Sequence, residues 1–258
     1  MERGVSNIIG VVGGVGPFAG LDLLKKILDQ TEAQSDQDHL TVFSISQPAT
    51  IMDRTAYLFG ETDLNPARPI LDQLHQLEKI GTTVAGIPCN TAHAAPIMNV
   101  IEDELDASGS QLHLLNMIQE VGLFLQRYYP SVQTVGLLST TGTSYSRVYP
   151  QTLEPFGIQV IEPEQQTVKE MVHRAIYDTS YGIKACGYAT EKARIDVLSA
   201  INRLGERGAE AVILGCTELP IAVPEKEIDG LPQIDSTMTL ARALIRTIDP
   251  QKLRPWQN

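Results

Sequence analysis

Two short stretches carry the residues with chemistry to offer. Val84-Ala85-Gly86-Ile87-Pro88-Cys89-Asn90-Thr91 and Val212-Ile213-Leu214-Gly215-Cys216-Thr217-Glu218 each run from apolar residues into a cysteine followed by small hydroxyl or amide residues. An apolar run without alternation reads as a parallel strand covered on both faces. Each cysteine then stands at the carboxyl end of a strand, the edge at which open α/β sheets bind ligands. Thr91 and Thr217 are placed to cap the helices that follow. A thiol brought toward neutral pKa by a helix N-terminus or a cation can take a proton as thiolate or give one as thiol. Two such groups on opposite faces of one carbon would invert it, one removing a proton while the other supplies one.

The elements that must position them repeat along the chain. Ile9-Gly10-Val11-Val12-Gly13-Gly14 near the start matches Val135-Gly136-Leu137-Leu138-Ser139-Thr140, an offset of 126 between Gly10 and Gly136 against 127 between Cys89 and Cys216. Near-equal offsets for two separate landmarks predict two similarly built domains. The expected fold is α/β: two doubly wound domains with mainly parallel sheets, pseudo-twofold related, with the active site in the cleft between them. The first domain is expected over 1–105 plus 225–258 and carries Cys89. The second, over 106–224, opens at the polar stretch Asp106 to Ser110 and carries Cys216. Strands are expected at Leu112 to Leu115 in the second domain and at Pro232 to Asp235 returning to the first. Helices are expected over Thr91 to Leu105, Ser144 to Leu153 and Glu164 to Tyr177, among others.

The size of the chain, 258 residues, suits two cores. A formal charge of -11 argues against nucleic acid and anionic membranes as partners, while a small acidic ligand needs a few local cations. Arg54 and Lys184 are those candidates. A guanidinium grips a carboxylate bidentately, but Arg54 could equally be a surface residue paired with Asp53. Lys184, between Gly182 and Gly187, reads either as a cationic lid or as an exposed loop lysine. Three cysteines make no disulfide framework, Met1 to Asn7 lacks the features of a signal peptide, and no apolar run spans a membrane; a reducing cytoplasm is the expected location.

Other signals are weaker. Gly14, Gly16 and Ala19 fit a dinucleotide fingerprint, yet the following strand ends in Ser46-Gln47-Pro48 with no acidic residue for a ribose. Backbone amides of that loop cradling a carboxylate fit better. Ser139, Thr140 and Thr143 could hold the other end of an anion or merely cap a helix. His93, four residues after Cys89, is a general base or a histidine that only bonds nearby groups. No cysteine or histidine spacing suggests a metal site, and Cys186 lacks a strand-end setting.

Taken in order, Gly13-Gly14-Val15-Gly16-Pro17, Asp53-Arg54-Thr55, Pro88-Cys89-Asn90-Thr91-Ala92-His93, Tyr181-Gly182-Ile183-Lys184-Ala185 and Leu214-Gly215-Cys216-Thr217-Glu218 resemble the aspartate/glutamate racemase family across nearly the whole chain, closest to its aspartate racemases. The resemblance implies two facing α/β domains, a commonly dimeric protein, no cofactor, and racemisation of a small amino acid by Cys89 and Cys216 as the catalytic pair. It implies that Arg54 holds the side-chain carboxylate, that Lys184 closes over it, and that Asn90, Thr91 and Thr217 bind the α-carboxylate and ammonium. Gly14, Val15, Ser139, Thr140, Thr143 and Glu218 are expected beside them at the substrate from their own positions in the chain. Glutamate racemases of this superfamily carry Asp-Ser in the first loop and histidine after the second Cys-Thr; Gly13-Gly14 and Glu218 here favour aspartate. Glutamate racemisation, a maleate isomerase-like reaction, and a non-catalytic binder of a small dicarboxylate stay open beside it.

Overall fold

The computed structural model describes residues 7–257, without the side chains of Gln165 and Val168; Met1 to Ser6, most of the segment read for a leader, lie outside them. Those through Glu120 together with Thr237–Gln257 form one compact unit, and Val121–Ser236 the other.

The first unit holds a four-stranded sheet of β1 (Ile9–Val12), β2 (Val42–Ile45), β3 (Val84–Gly86) and β4 (His113–Leu115), in the order β2-β1-β3-β4 and parallel throughout. Helices Ala67–Lys79 and Ala95–Ala107 bury Ile70, Leu74, Leu77, Ile97 and Ile101 with Val12 and Ala85 in one core cluster. A second cluster joins Leu23 and Ile27 of helix Pro17–Gln30 and Leu240, Leu244 and Ile245 of helix Ser236–Ile248 to Ile9, Val11 and Val84. Val11 and Val12 fall in different clusters because successive strand side chains point to opposite faces. Both faces are covered, which is why these strands read as unbroken apolar runs.

The second unit holds β5 (Thr134–Ser139), β6 (Gln159–Ile161), β7 (Ala211–Gly215), β8 (Glu227–Ile228) and β9 (Leu231–Asp235), ordered β6-β5-β7-β9-β8. All pairs are parallel except β8 with β9. Its core joins Leu138, Val212 and Leu214 to Val197, Ile201 and Leu204 of helix Glu191–Glu206.

The repeat legible in the chain is a repeat of registers. Gly10 pairs with Ala85, and Gly136 with Val212. A Cβ on Gly10 would sit 2.6 Å from Thr82 and 3.2 Å from Leu77; one on Gly136 would sit 2.8 Å from Leu204 and 3.2 Å from Ala209. Leu204 and Ala209 follow Leu77 and Thr82 by the same 127 residues that separate the cysteines. Gly81 and Gly208 share that offset and turn each helix into its strand at φ 99° and 93°, where only glycine is unstrained. In each unit, then, a helix packs across a glycine of the first strand, turns at a glycine, and feeds the strand that ends in cysteine.

Two strands lie elsewhere than the sequence suggests. Leu112 to Leu115 belongs to the first sheet, because β4 continues the ladder from β3 with Ala85 opposite Leu114. The polar stretch Asp106 to Ser110 is a helix-to-strand turn at Gly109, φ 68°, and such a turn has the composition of a linker. Pro232 to Asp235 belongs to the second sheet, where β9 pairs with β7; only the helix after it packs onto the first. The unit boundaries accordingly fall at Glu120 and Ser236 rather than near 105 and 225.

Three expected helices are also interrupted. Thr91 to Leu105 splits into a 3₁₀ turn Asn90–His93 and a helix from Ala95, with Ala94, at φ -59° and ψ 136°, as the non-helical N-cap between them and Pro96 accommodated in the first turn. Ser144 to Leu153 breaks at Arg147, which is left-handed at φ 55°. Glu164 to Tyr177 carries a π-helical stretch, Val168–His173. Among the described residues no helix is long and apolar enough to cross a membrane.

Candidate active site

Four loops of the first unit gather at the carboxyl ends of its strands. The 3₁₀ turn Gly13–Val15 follows β1, and a Cβ on Gly14 would lie 2.4 Å from the backbone nitrogen of Gln47. That glycine therefore lets two loops meet backbone to backbone. Its role in this fold is packing, which accounts for a glycine pattern without the acid that a dinucleotide fingerprint requires. Val15 is buried beside it.

Arg54 opens the helix Arg54–Leu58, half-buried, with its guanidinium donating to the Met52 carbonyl at 3.2 Å. Asp53 is engaged as the N-cap of that helix, accepting from the Ala56 amide at 2.8 Å.

After β3 the chain runs through Ile87 and Pro88 to Cys89, a half-buried free thiol. Cys89 itself is the N-cap residue of Asn90–His93, with no side-chain bond closing the cap, so Thr91 does not cap a helix as expected. Asn90 and Thr91 are buried within the turn.

His93, 2 % exposed, has both ring nitrogens on backbone. The Met117 amide donates to Nε2 at 3.1 Å, which leaves the proton on Nδ1 to donate to the Cys89 carbonyl at 2.9 Å. Burial depresses its pKa to about 4, with the bond to Cys89 opposing in part. This neutral imidazole braces the cysteine turn against the start of helix Met117–Tyr128 and has no nitrogen left for substrate.

The second unit offers the counterpart loops. Thr140 caps the helix Thr141–Ser146 through the Thr143 amide, and its hydroxyl lies 3.2 Å from that of Thr143; Ser139 donates to the Thr140 carbonyl at 3.3 Å. These hydroxyls are engaged in local capping.

Cys216 directly follows β7, a free thiol only 6 % exposed. Its Sγ donates to Glu218 Oε2 at 3.0 Å, and Thr217 donates to the same oxygen at 3.2 Å. The Lys184 ammonium, from the short helix Ile183–Cys186, pairs with Glu218 Oε1. It also lies 5.5 Å from the centre of the Tyr177 ring. Glu218 is the N-cap residue of helix Leu219–Ala222, so Thr217 does not cap it.

Burial by itself would raise the Glu218 carboxyl, but Lys184 and the bonds from Cys216 and Thr217 hold it below the usual carboxylate range. Burial drives the Cys216 thiol well up, the Glu218 charge adds to that, and Lys184 opposes. Tyr149 completes the surroundings: its buried phenol, raised mainly by desolvation, bonds Ser236, whose hydroxyl donates to the Leu214 carbonyl at 3.0 Å.

Sequence reasoning singled out Cys216, Thr217, Glu218 and Lys184 separately; folding joins them into one hydrogen-bonded group. It missed Tyr149, Tyr177 and Ser236. Only Ser236, in an Asp-Ser pair at a strand end, had a local signal. Gly14, Val15, Arg54, Cys89, Asn90 and Thr91 lie on the first unit, and Ser139, Thr140, Thr143, Lys184, Cys216, Thr217 and Glu218 on the second.

This arrangement has relatives. A broad-specificity amino-acid racemase, RacX, of Bacillus subtilis (strain 168) is 25% identical over 93% of this chain and 97% of its own. Among solved structures, a Picrophilus torridus aspartate racemase is 30% identical, covers 94% of each chain and superposes with a TM-score of 0.77. A glutamate racemase of Francisella tularensis shares the fold at 17% identity and a TM-score of 0.63, covering 98% of this chain and 85% of that one. The Asp/Glu/Hydantoin racemase family model matches residues 12–244, from the end of β1 to the helix that closes the first sheet, and by that match this chain belongs to the Asp/Glu/Hydantoin racemase family.

Proposed function

We propose that this racemase interconverts L- and D-aspartate without a cofactor, using Cys89 and Cys216 as the two proton-transfer groups. The observation that carries the reading is the duplicated setting of the thiols. Each stands just past the strand that a helix, a glycine turn and a packed glycine position at the same offset, and each is a free cysteine. Inversion at a carbon by a two-base route calls for two proton carriers approaching opposite faces, and two thiols can each serve as acid or as base.

In the reaction one sulfur takes the Cα proton as a thiolate while the other thiol delivers its own to the opposite face. The carbanion between those events needs positive charge and fixed dipoles close to the α-carboxylate. Asn90, Thr91 and Thr217 are proposed for that end of the substrate, with the loops of Gly14 and Val15 and of Ser139, Thr140 and Thr143 around it. Arg54 is proposed to hold the side-chain carboxylate, and Lys184 to join it there. That anchor is what favours a dicarboxylic amino acid over a hydantoin.

The choice of aspartate is supported by the 30% identical Picrophilus torridus aspartate racemase and by Gly13-Gly14 and Glu218 standing where glutamate racemases differ. A second reading, broader amino-acid specificity, is favoured by the likeness to a broad-specificity racemase along almost the full length of both chains. The family's commonly dimeric state and a cytoplasmic setting are proposed with the function.

The test is proton NMR of L-aspartate in deuterated water with metal-stripped, pyridoxal-free protein under reductant, followed by chiral analysis. Deuterium at Cα together with D-aspartate is expected. Equal turnover of glutamate and neutral amino acids would move the assignment to the broader reading. Absence of exchange with tight aspartate binding would replace it with a dicarboxylate binder.

A further inference from the structure

The Cys216 side chain donates its proton to a carboxylate that is itself buried, 3 % exposed, and tied to an ammonium. A carboxylate there is costly unless it serves a partner, because two buried anions cannot stand 3 Å apart without strong mutual repulsion. Glu218 therefore stays ionised through Lys184, and the sulfur beside it stays protonated. From this geometry we infer that Glu218 is a positioning residue that holds Cys216 as the acid of the resting enzyme, leaving Cys89 as the resting base.

The groups facing Cys216 within its unit are consistent with one proton holder. Glu218 touches the sulfur and Lys184 touches Glu218; Tyr149 is a buried phenol that bonds Ser236, with Asp235 beyond it. Neither Thr217 nor Ser236 titrates. Cys89 has no such companion in its turn, where the nearest titratable ring, His93, is neutral and spent on backbone.

The step on substrate rests on the function proposed above. The Cys89 thiolate takes the Cα proton, forming S–H as C–H breaks. The carbanion's electron pair takes the Cys216 proton on the other face, forming C–H as that S–H breaks. One proton is shared by the two sulfurs before and after, so the product state has Cys89 as thiol and Cys216 as thiolate. The reverse substrate, or proton exchange with water, restores the resting state.

The deciding experiment titrates thiolate ultraviolet absorbance in Cys89→Ser/Cys186→Ser protein, where Cys216 is the remaining thiol. Adding Glu218→Gln keeps a bond to the sulfur but removes the charge, and the midpoint is expected to fall by at least about one pH unit, a tenfold gain in acidity. Glu218→Asp is expected to restore much of the shift. In the otherwise native enzyme, Glu218→Gln is expected to move the alkaline limb of the kcat/KM profile down by a similar interval, since that limb reports loss of the acid's proton. A midpoint within a few tenths of a unit of the parent would overturn the inference. Should the Gln variant fail to fold, Glu218→Asn, a shorter neutral amide, decides in its place: the midpoint must fall, and an unmoved one overturns the inference. Because the titration uses no substrate, racemisation that fails while the midpoint shifts counts against the proposed function alone.

Discussion

The imidazole of His93 should make the first unit acid-sensitive in a way that can be isolated. Its pKa of about 4 stands against an ordinary 6.5, so between those values the unfolded chain binds one more proton than the folded one. A neutral buried histidine thus contributes stability that is present above the unfolded pKa and is lost as the pH falls toward the folded one. At about 1.4 kcal/mol per pH unit of difference, this residue removes roughly 2 kcal/mol between pH 7 and 5 and roughly 3 kcal/mol by pH 4. Protonation cannot be accommodated in place: Nε2 must accept from the Met117 amide, and a proton there would set two donors against each other. The assay is denaturant unfolding of the native enzyme and His93→Gln at pH 7, 6, 5 and 4.5 or so, taking the difference at each pH so that groups common to both cancel. At pH 7 the variant is expected to be less stable by about 2 to 4 kcal/mol, from two backbone groups left with poorer partners. The gap should close as the pH falls. A gap that stays constant with pH, or grows, would refute the neutral, doubly bonded assignment of His93.

Other outcomes follow from the same geometry. Cys89→Ser and Cys216→Ser should each abolish racemisation in both directions while aspartate still binds by calorimetry, because a serine hydroxyl is far too weak an acid to exchange roles with a thiol; near-native turnover in either would remove the two-thiol mechanism. Arg54→Ala is expected to raise KM about ten- to a hundredfold, as loss of a charge-assisted bidentate contact does, and Arg54→Lys to recover little of it; unchanged kinetics in both would place Arg54 outside the site. Gly14→Ala should cost about 1 to 3 kcal/mol in thermal or denaturant unfolding, since the added methyl lands 2.4 Å from the Gln47 backbone. An Ala variant as stable as the parent would show that the two loops can part freely.

What the chain disclosed by itself was whatever is encoded locally or by repetition. Apolar runs ending in Cys89 and Cys216 identified buried parallel strands, and matched offsets identified the duplication, because packing across Gly10 and Gly136 imposes the same residue sizes at the same spacing. Strand membership was not local. Nothing within β4 or β9 says which sheet it joins, and only the hydrogen-bonded ladders opposite β3 and β7 assign each to its own. Side-chain roles depended on tertiary structure still more. Lys184 and Glu218 are 34 residues apart, and in sequence one is a loop lysine and the other an acid after Cys-Thr. Folding buries the acid against a thiol and brings the lysine to it. His93 makes the same point in reverse: four residues from Cys89 it resembles a base, and the Met117 amide, 24 residues on, is what takes its free nitrogen. Composition and spacing choose which groups are present, but desolvation and the partners of each proton choose what those groups do.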